Sequence, residues 1–136
     1  RVSSISKEIA WKDEAQLSES FKERVFIKHL SGPLFFGFTS EFIILSKQIP
    51  NTASIVIIRM DMVPYIDQSG LFTLEDVLMD LIDKEIEILI VGIQSQPKYL
   101  MKTIGIIGKM IPEENIFEQF TDCKSFVISK EAQIKA

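Results

Sequence analysis

Cysteine and histidine are almost missing from this chain: Cys123 and His29 are the single examples among 136 residues. One cysteine excludes an intrachain disulfide and suits a reducing compartment. One of each also excludes a zinc site built from Cys and His ligands. Any nucleophile–histidine pair would depend on His29, which stands in a strand-like run between Lys28 and Leu30, where a structural role fits better. Long apolar runs are lacking as well. The longest fall short of the ~18 residues that mark a membrane span, and no signal peptide precedes them. Positive charge is in deficit: 15 Lys and Arg against 19 Asp and Glu leave a net charge of −4. That gives no basic field for a nucleic-acid partner. Internal repeats and low-complexity segments are absent. The chain opens on Arg1 instead of methionine, so the expectation is a piece of a longer protein.

What remains is an ordinary globular composition, 46% hydrophobic and 25% charged. At this length one domain is expected, burying ~68% of the surface its unfolded chain exposes. The stretch from Ser54 to Ile82 organises it. Ile55-Val56-Ile57-Ile58 is an apolar, β-branched run that reads as a strand buried on both faces, as in a parallel sheet. A polar turn from Asp61 to Gly70 follows, carrying Pro64, Asp67 and Ser69. Leu71, Leu74, Val77, Leu78, Leu81 and Ile82 then recur at helical spacing. Sites in open α/β sheets tend to lie at such turns.

In chain order, residues 1–23 read as a polar lead-in with Trp11 as its docking anchor, or as a contact to whatever precedes the fragment. The domain proper spans 24–136. Arg24–Leu30 alternates as a strand, with Val25, Ile27 and His29 on one side and Phe26 and Lys28 on the other. Ser31-Gly32-Pro33 is a turn, and Leu34–Phe38 reads as a second strand antiparallel to the first. Thr39 or Ser40 caps a helix bearing Glu41, Phe42, Leu45 and Ile49, which stops before Pro50. Beyond the central unit, Asp83-Lys84 leads into a buried strand, Glu85–Gly92, parallel to Ile55–Ile58. Pro97 opens a third helix with Leu100, Ile104 and Ile107 inward, weakened toward its end by Gly105 and Gly108. Ile116-Phe117 is a short last strand. Thr121 caps a final helix with Asp122 in its first turn and Phe126 and Val127 inward. The fold class expected is α/β, a small mixed sheet of four to five strands with about four helices.

Few chemistries survive inspection. Gly105-Ile-Ile-Gly108-Lys109 lacks the spacing, the following Ser or Thr and the preceding strand of a phosphate loop. Asp61 and Asp67 are candidates to share a cation, or simply to end the strand and satisfy turn amides. A small α/β enzyme using either aspartate is a third class, but no nucleophile, base and anion-binding loop converge. No pattern calls for a cofactor. Ser69 supports two readings. In one, Asp67, Gln68 or Ser69 caps the helix beginning near Gly70, worth ~1 kcal/mol. Alternatively, the positive end of that helix holds an anion, or Ser69 accepts a phosphoryl group that changes which partner docks.

Val63-Pro64-Tyr65-Ile66-Asp67-Gln68-Ser69-Gly70-Leu71, placed after a buried strand, resembles the signature of the STAS domain, shared by sulphate transporters and anti-sigma factor antagonists. Gly32-Pro33-Leu34-Phe35-Phe36-Gly37 resembles the second-strand motif of the SulP (sulphate permease) transporter branch. The resemblance covers about residues 24–130. It implies a cytoplasmic, C-terminal, non-enzymatic domain of an anion transporter, acting in regulation and partner binding at the cytoplasmic face of the membrane. The implied partners are the transporter's own transmembrane domain, a cytoplasmic protein, and an anion or nucleotide at Asp67, Ser69 and Gly70. The alternative is a free-standing antagonist phosphorylated on Ser69, with Asp67 beside it. Two departures weigh against it: Gln68 replaces the second hydroxyl residue common in antagonists, and bulky Phe72 stands where they often carry a small one.

Overall fold

The computed structural model describes residues 11–14, 24–32 and 45–135. Its spine is β2 (Ile55–Met62), flanked by β1 (Val25–Ser31) and β3 (Glu87–Val91), with the two-residue β4 (Ile116–Phe117) beyond β3. Every pairing among these strands is parallel, with Val25 opposite Ile55 and Ile55 opposite Glu87. The expected antiparallel strand at 34–38 and the helix cap at 39–42 lie outside the described residues.

Alternation along β2 sorts the core. Val56, Ile58 and Met60 point to one face, where they meet Leu71, Leu74, Leu78 and Leu81 of helix α2 (Gln68–Asp83) and Met101 of α3 (Ser95–Thr103). Ile55 and Ile57 point to the other, against Phe120, Cys123 and Val127 of α4 (Phe120–Lys135). A parallel central strand must bury both faces, which is why its sequence is a continuous apolar run and not an alternating one. On β1 the expected alternation holds: Val25 joins the α4 face, while Phe26 and Leu30 join the α2 face. The described part of helix α1, Leu45–Gln48, ends before Pro50 as expected, with Ile49 packed on the α2-side core.

Helix ends depart from the sequence expectations by a few residues. α3 begins at Ser95, so Pro97 occupies its first turn but not its first position; the missing N–H costs nothing there. The helix stops at Thr103, and Gly105 follows with φ +87°, so Ile104 and buried Ile107 pack from the chain beyond it. α4 starts at Phe120, ahead of the Thr121 cap expected, and Gln119 O accepts the amide of Cys123 at 3.4 Å. Burying the Phe120 ring draws the helix start forward.

α2 closes with a left-handed residue that is not glycine. Glu85 has φ +64°, its N–H donates to Ile82 O at 2.8 Å, and Ile86 N–H reaches back to Leu81 O at 3.1 Å. This doubled capping pattern normally places glycine at the left-handed position. β3 therefore starts at Glu87, two residues later than the apolar pattern suggests. Replacing Glu85→Gly should relieve the side-chain strain and raise unfolding stability by about 1 kcal/mol in urea titrations.

Candidate functional site

The turn between β2 and α2 is fixed from beneath by two apolar side chains and from the side by two glutamines. Val63 and Ile66 are fully buried, while Tyr65 is exposed. Gln94 Nε2 donates to Asp61 O at 2.8 Å. Gln96 pairs with both backbone groups of Ile66: its Oε1 accepts from the amide at 2.9 Å and its Nε2 donates to the carbonyl at 3.0 Å. Side chains of the β3–α3 connection and of the first turn of α3 thus satisfy backbone groups that would otherwise be lost in a non-helical turn.

The turn delivers Asp67 to the start of α2. Its Oδ1 accepts from Gly70 N–H at 2.7 Å, and its carbonyl accepts from Leu71 N–H at 2.8 Å. Asp67 is therefore the cap, and its carboxylate also faces the positive end of the helix. Gly70 is buried, whereas Ser69 is exposed, its carbonyl accepting from Thr73 Oγ1 at 3.0 Å. The hydroxyl is thus presented to solvent in the first turn.

Asp61 and Asp67 do not converge on a shared cation. The Asp61 carboxylate accepts from Arg59 Nε and Nη2 at 3.2 and 3.1 Å, and Asp67 is committed to its cap. Among the described residues no group of three or more His, Cys, Asp and Glu side chains is arranged to hold a metal ion.

Beside Asp61 lies a charge cluster that pattern reading did not single out. Arg59 points to the α4 face and is only 3% exposed. Its guanidinium lies between the rings of Trp11 (4.5 Å) and Phe120 (4.9 Å), a favourable placement for a cation on aromatic faces. Nη1 donates to Asp13 and, at 2.9 Å, to Glu14 Oε2. Glu14 is itself buried and pairs with His29 Nε2 at 2.8 Å, and His29 stacks on Trp11 at 4.6 Å. Trp11 thus docks on the sheet through its ring, against Arg59 and His29. The signal that was available is Arg59 itself, a cation at an inward position of an apolar strand.

Protonation follows from these contacts. Burial alone would raise the Glu14 carboxyl, but hydrogen bonds from His29 and Arg59 outweigh it and hold it below its ordinary value. Glu14 thus contributes stability above its unfolded pKa, lost as pH falls through the folded one. Burial likewise opposes the charge of Arg59, yet hydrogen bonds to Asp13, Asp61 and Glu14 prevail and raise its pKa further. Burial pushes the Cys123 thiol up to about 12 despite nearby Arg59, so no thiolate is present at neutral pH.

A cleft of about 500 Å³ opens beyond the carboxyl ends of β3 and β4, bordered by Gly92, Lys98, Lys102, Glu113 and Phe117. It does not include residues 67–70. Gly92 has a stricter duty: at φ +73° a Cβ there would lie 2.5 Å from Asp61 Cγ, so glycine lets β3 end against the Asp61–Arg59 pair.

The family model described as STAS domain matches residues 17–123. The chain belongs to the STAS domain family. Its strand order and the Asp67–Gly70 turn sit within the matched span. This STAS domain is similar to the STAS domain of a SulP transporter from Vibrio cholerae, with 26% identity and a TM-score of 0.72, over 88% of this chain and 90% of that one. A sulfate transporter family protein from Wolinella succinogenes shares the fold at 21% identity and TM-score 0.72, over 85% and 91% of the two chains. The murine Slc26a9 anion transporter in its inward-facing state contains the same fold at 19% identity and TM-score 0.68. There the likeness spans 87% of this chain but 19% of the transporter. No curated protein sequence matches the chain. Among the described residues no helix is long and apolar enough to cross a membrane.

The cap assignment distinguishes Asp67 from Ser69. Asp67→Ala should cost about 1 kcal/mol in chemical unfolding, within a range of 0.5–2. Ser69→Ala should stay within about 0.5 kcal/mol, as for exposed positions in general.

Proposed function

We propose that this STAS domain is the cytoplasmic C-terminal domain of a SulP-type anion transporter, and that it docks and regulates without catalysing a reaction. The observation that carries the reading is the 26% identity to a SulP transporter STAS domain across nearly the whole of both chains. The place of the same fold as a minor part of a long anion transporter agrees with it. In this reading the domain's principal partner is the transmembrane region of its own protein, with sulphate or a related anion as the transported species. The three solved structures described above carry transporter names, which supports the transporter reading over a free-standing antagonist switched at Ser69.

Within that role the start of α2 is the regulatory surface. Ser69 is exposed beside a capped helix end, and its neighbours Tyr65 and Phe72 are also exposed, at 44% and 46%. A partner, an anion or a nucleotide phosphate reaching the Ser69–Gly70 turn would use the Gln68 and Ser69 amides, since Asp67 takes that of Gly70. A phosphoryl group on Ser69 would place roughly −1.5 to −2 charges there, favoured by the helix dipole and opposed by Asp67.

The two parts of this proposal are tested separately. Reading the coding sequence upstream of Arg1 should reveal a series of apolar segments of ~20 residues each; a stop codon or a soluble domain there contradicts the transporter reading. Adding sulphate or nucleotide to isotopically labelled protein should move the Ser69 and Gly70 amide signals saturably, and unmoved signals at millimolar ligand remove the ligand site.

A further inference from the structure

We propose that residues 11–14 form a releasable strap: a tethered acidic-aromatic segment seated in a socket built around Arg59, able to leave while the sheet stays folded. The socket is formed by strands and α4, and the strap fills it. Trp11 covers one face of the Arg59 guanidinium, Asp13 and Glu14 take Nη1, and Glu14 reaches His29. The strap closes on itself through one 3-10 turn, Lys12–Glu14, in which Trp11 N–H donates to Glu14 Oε1 at 3.2 Å and Glu14 N–H donates to Trp11 O at 2.9 Å. Seated, the four residues form one hydrogen-bonded turn and not scattered contacts.

Three observations make the seat a separable one. Neither hydrophobic core cluster includes any residue of 11–14, so departure opens no cavity in the core. The attachment is mainly ionic, and buried ion pairs return much of their attraction as desolvation cost. Release also strands no cation: Arg59 keeps Asp61 through Nε and Nη2 and keeps the Phe120 ring, while Asp13 and Glu14 pass into water. Removing a partner from a buried pair is ordinarily expensive because a charge is left alone. Here Asp61 prevents it.

Among the described residues the titratable groups facing the socket are Asp13, Glu14, His29, Arg59 and Asp61, with the Cys123 thiol of α4 near enough to feel the Arg59 charge. Because Asp61 also begins the turn toward Asp67, and Gln94 holds its carbonyl, the strap and the start of α2 share one anchoring residue. Strap opening is a local event of the kind that precedes global unfolding in native proteins. It stands whether or not a membrane region precedes the domain.

Trp11 is the chain's single tryptophan, so its emission reports the seat alone, while far-ultraviolet circular dichroism reports the sheet and helices. In a urea titration of the full chain, the Trp11 emission should shift to the red at lower urea than the dichroism transition. Glu14→Gln, which removes one charge from a charge-assisted pair, should enlarge the strap-open fraction roughly tenfold and leave the dichroism midpoint in place. Leu78→Ala, in the core on the opposite face of the sheet, should lower the dichroism midpoint and leave the emission transition. Coincident transitions in the unaltered chain would overturn the proposal, since they mark a single cooperative unit. So would a Glu14→Gln variant whose two midpoints fall together.

Discussion

A parallel strand with neighbours on both sides and helices over both faces has no exposed side, and β2 bears that constraint for the whole domain. Its six residues from Ile55 to Met60 are buried, and they include Arg59. Everything else is placed by it. β1 and β3 take their register from it, α2 and α3 cover one face, α4 covers the other, and the turn it feeds sets Asp67 and Ser69. Burying a full guanidinium at the end of this strand is possible because four hydrogen bonds to Asp13, Glu14 and Asp61, with the Trp11 and Phe120 rings over its plane, replace much of its hydration.

The domain therefore has two polar centres at the carboxyl end of one strand, with different characters. The start of α2 is a wet site, a capped helix end with Ser69 open to solvent. The Arg59 socket is a largely buried one, closed by residues that come from far earlier in the chain. Asp61 links them, held by Arg59 on one side and approached by Gly92 on the other. In a STAS domain this arrangement sets the element that meets solvent directly beside the element that holds the lead-in. The cleft between α3 and the β4–α4 connection lies on the far side of Gly92 and is lined by a different set of charges.

Much of this was readable in advance, for definite reasons. The run 55–58 announced a doubly buried strand because only a central parallel strand suits four consecutive β-branched residues. The stripe Leu71, Leu74, Val77, Leu78, Leu81 and Ile82 marked the inward face of α2; the first five are buried, but Ile82, next to Leu81 and turned about 100° from it around the helix, is 37% exposed. Asp67, Ser69 and Gly70 fell at the helix start because capping chemistry leaves few alternatives there. Helix ends were less legible. The stop of α2 depends on Glu85 taking a left-handed conformation that its residue type does not advertise, and α4 begins early because Phe120 must go inside. The socket was the least legible part. Trp11 could be read as an anchor, but that it anchors on Arg59, with Glu14 buried between Arg59 and His29, depends on contacts 45 residues apart in sequence. No local pattern encodes such a pairing. Gln94 and Gln96 were missed for the same reason, since their role lies wholly in the backbone groups they reach.

The central claim, that β2 is the spine on which all other placement depends, is most directly tested by native-state amide hydrogen exchange. The amides of Ile57 and Ile58, with those of Leu89 and Ile90 beside them, should belong to the slowest class and exchange only through global unfolding. Exchange at residues 55–60 as fast as at the solvent-exposed first turn of α2 would contradict the account.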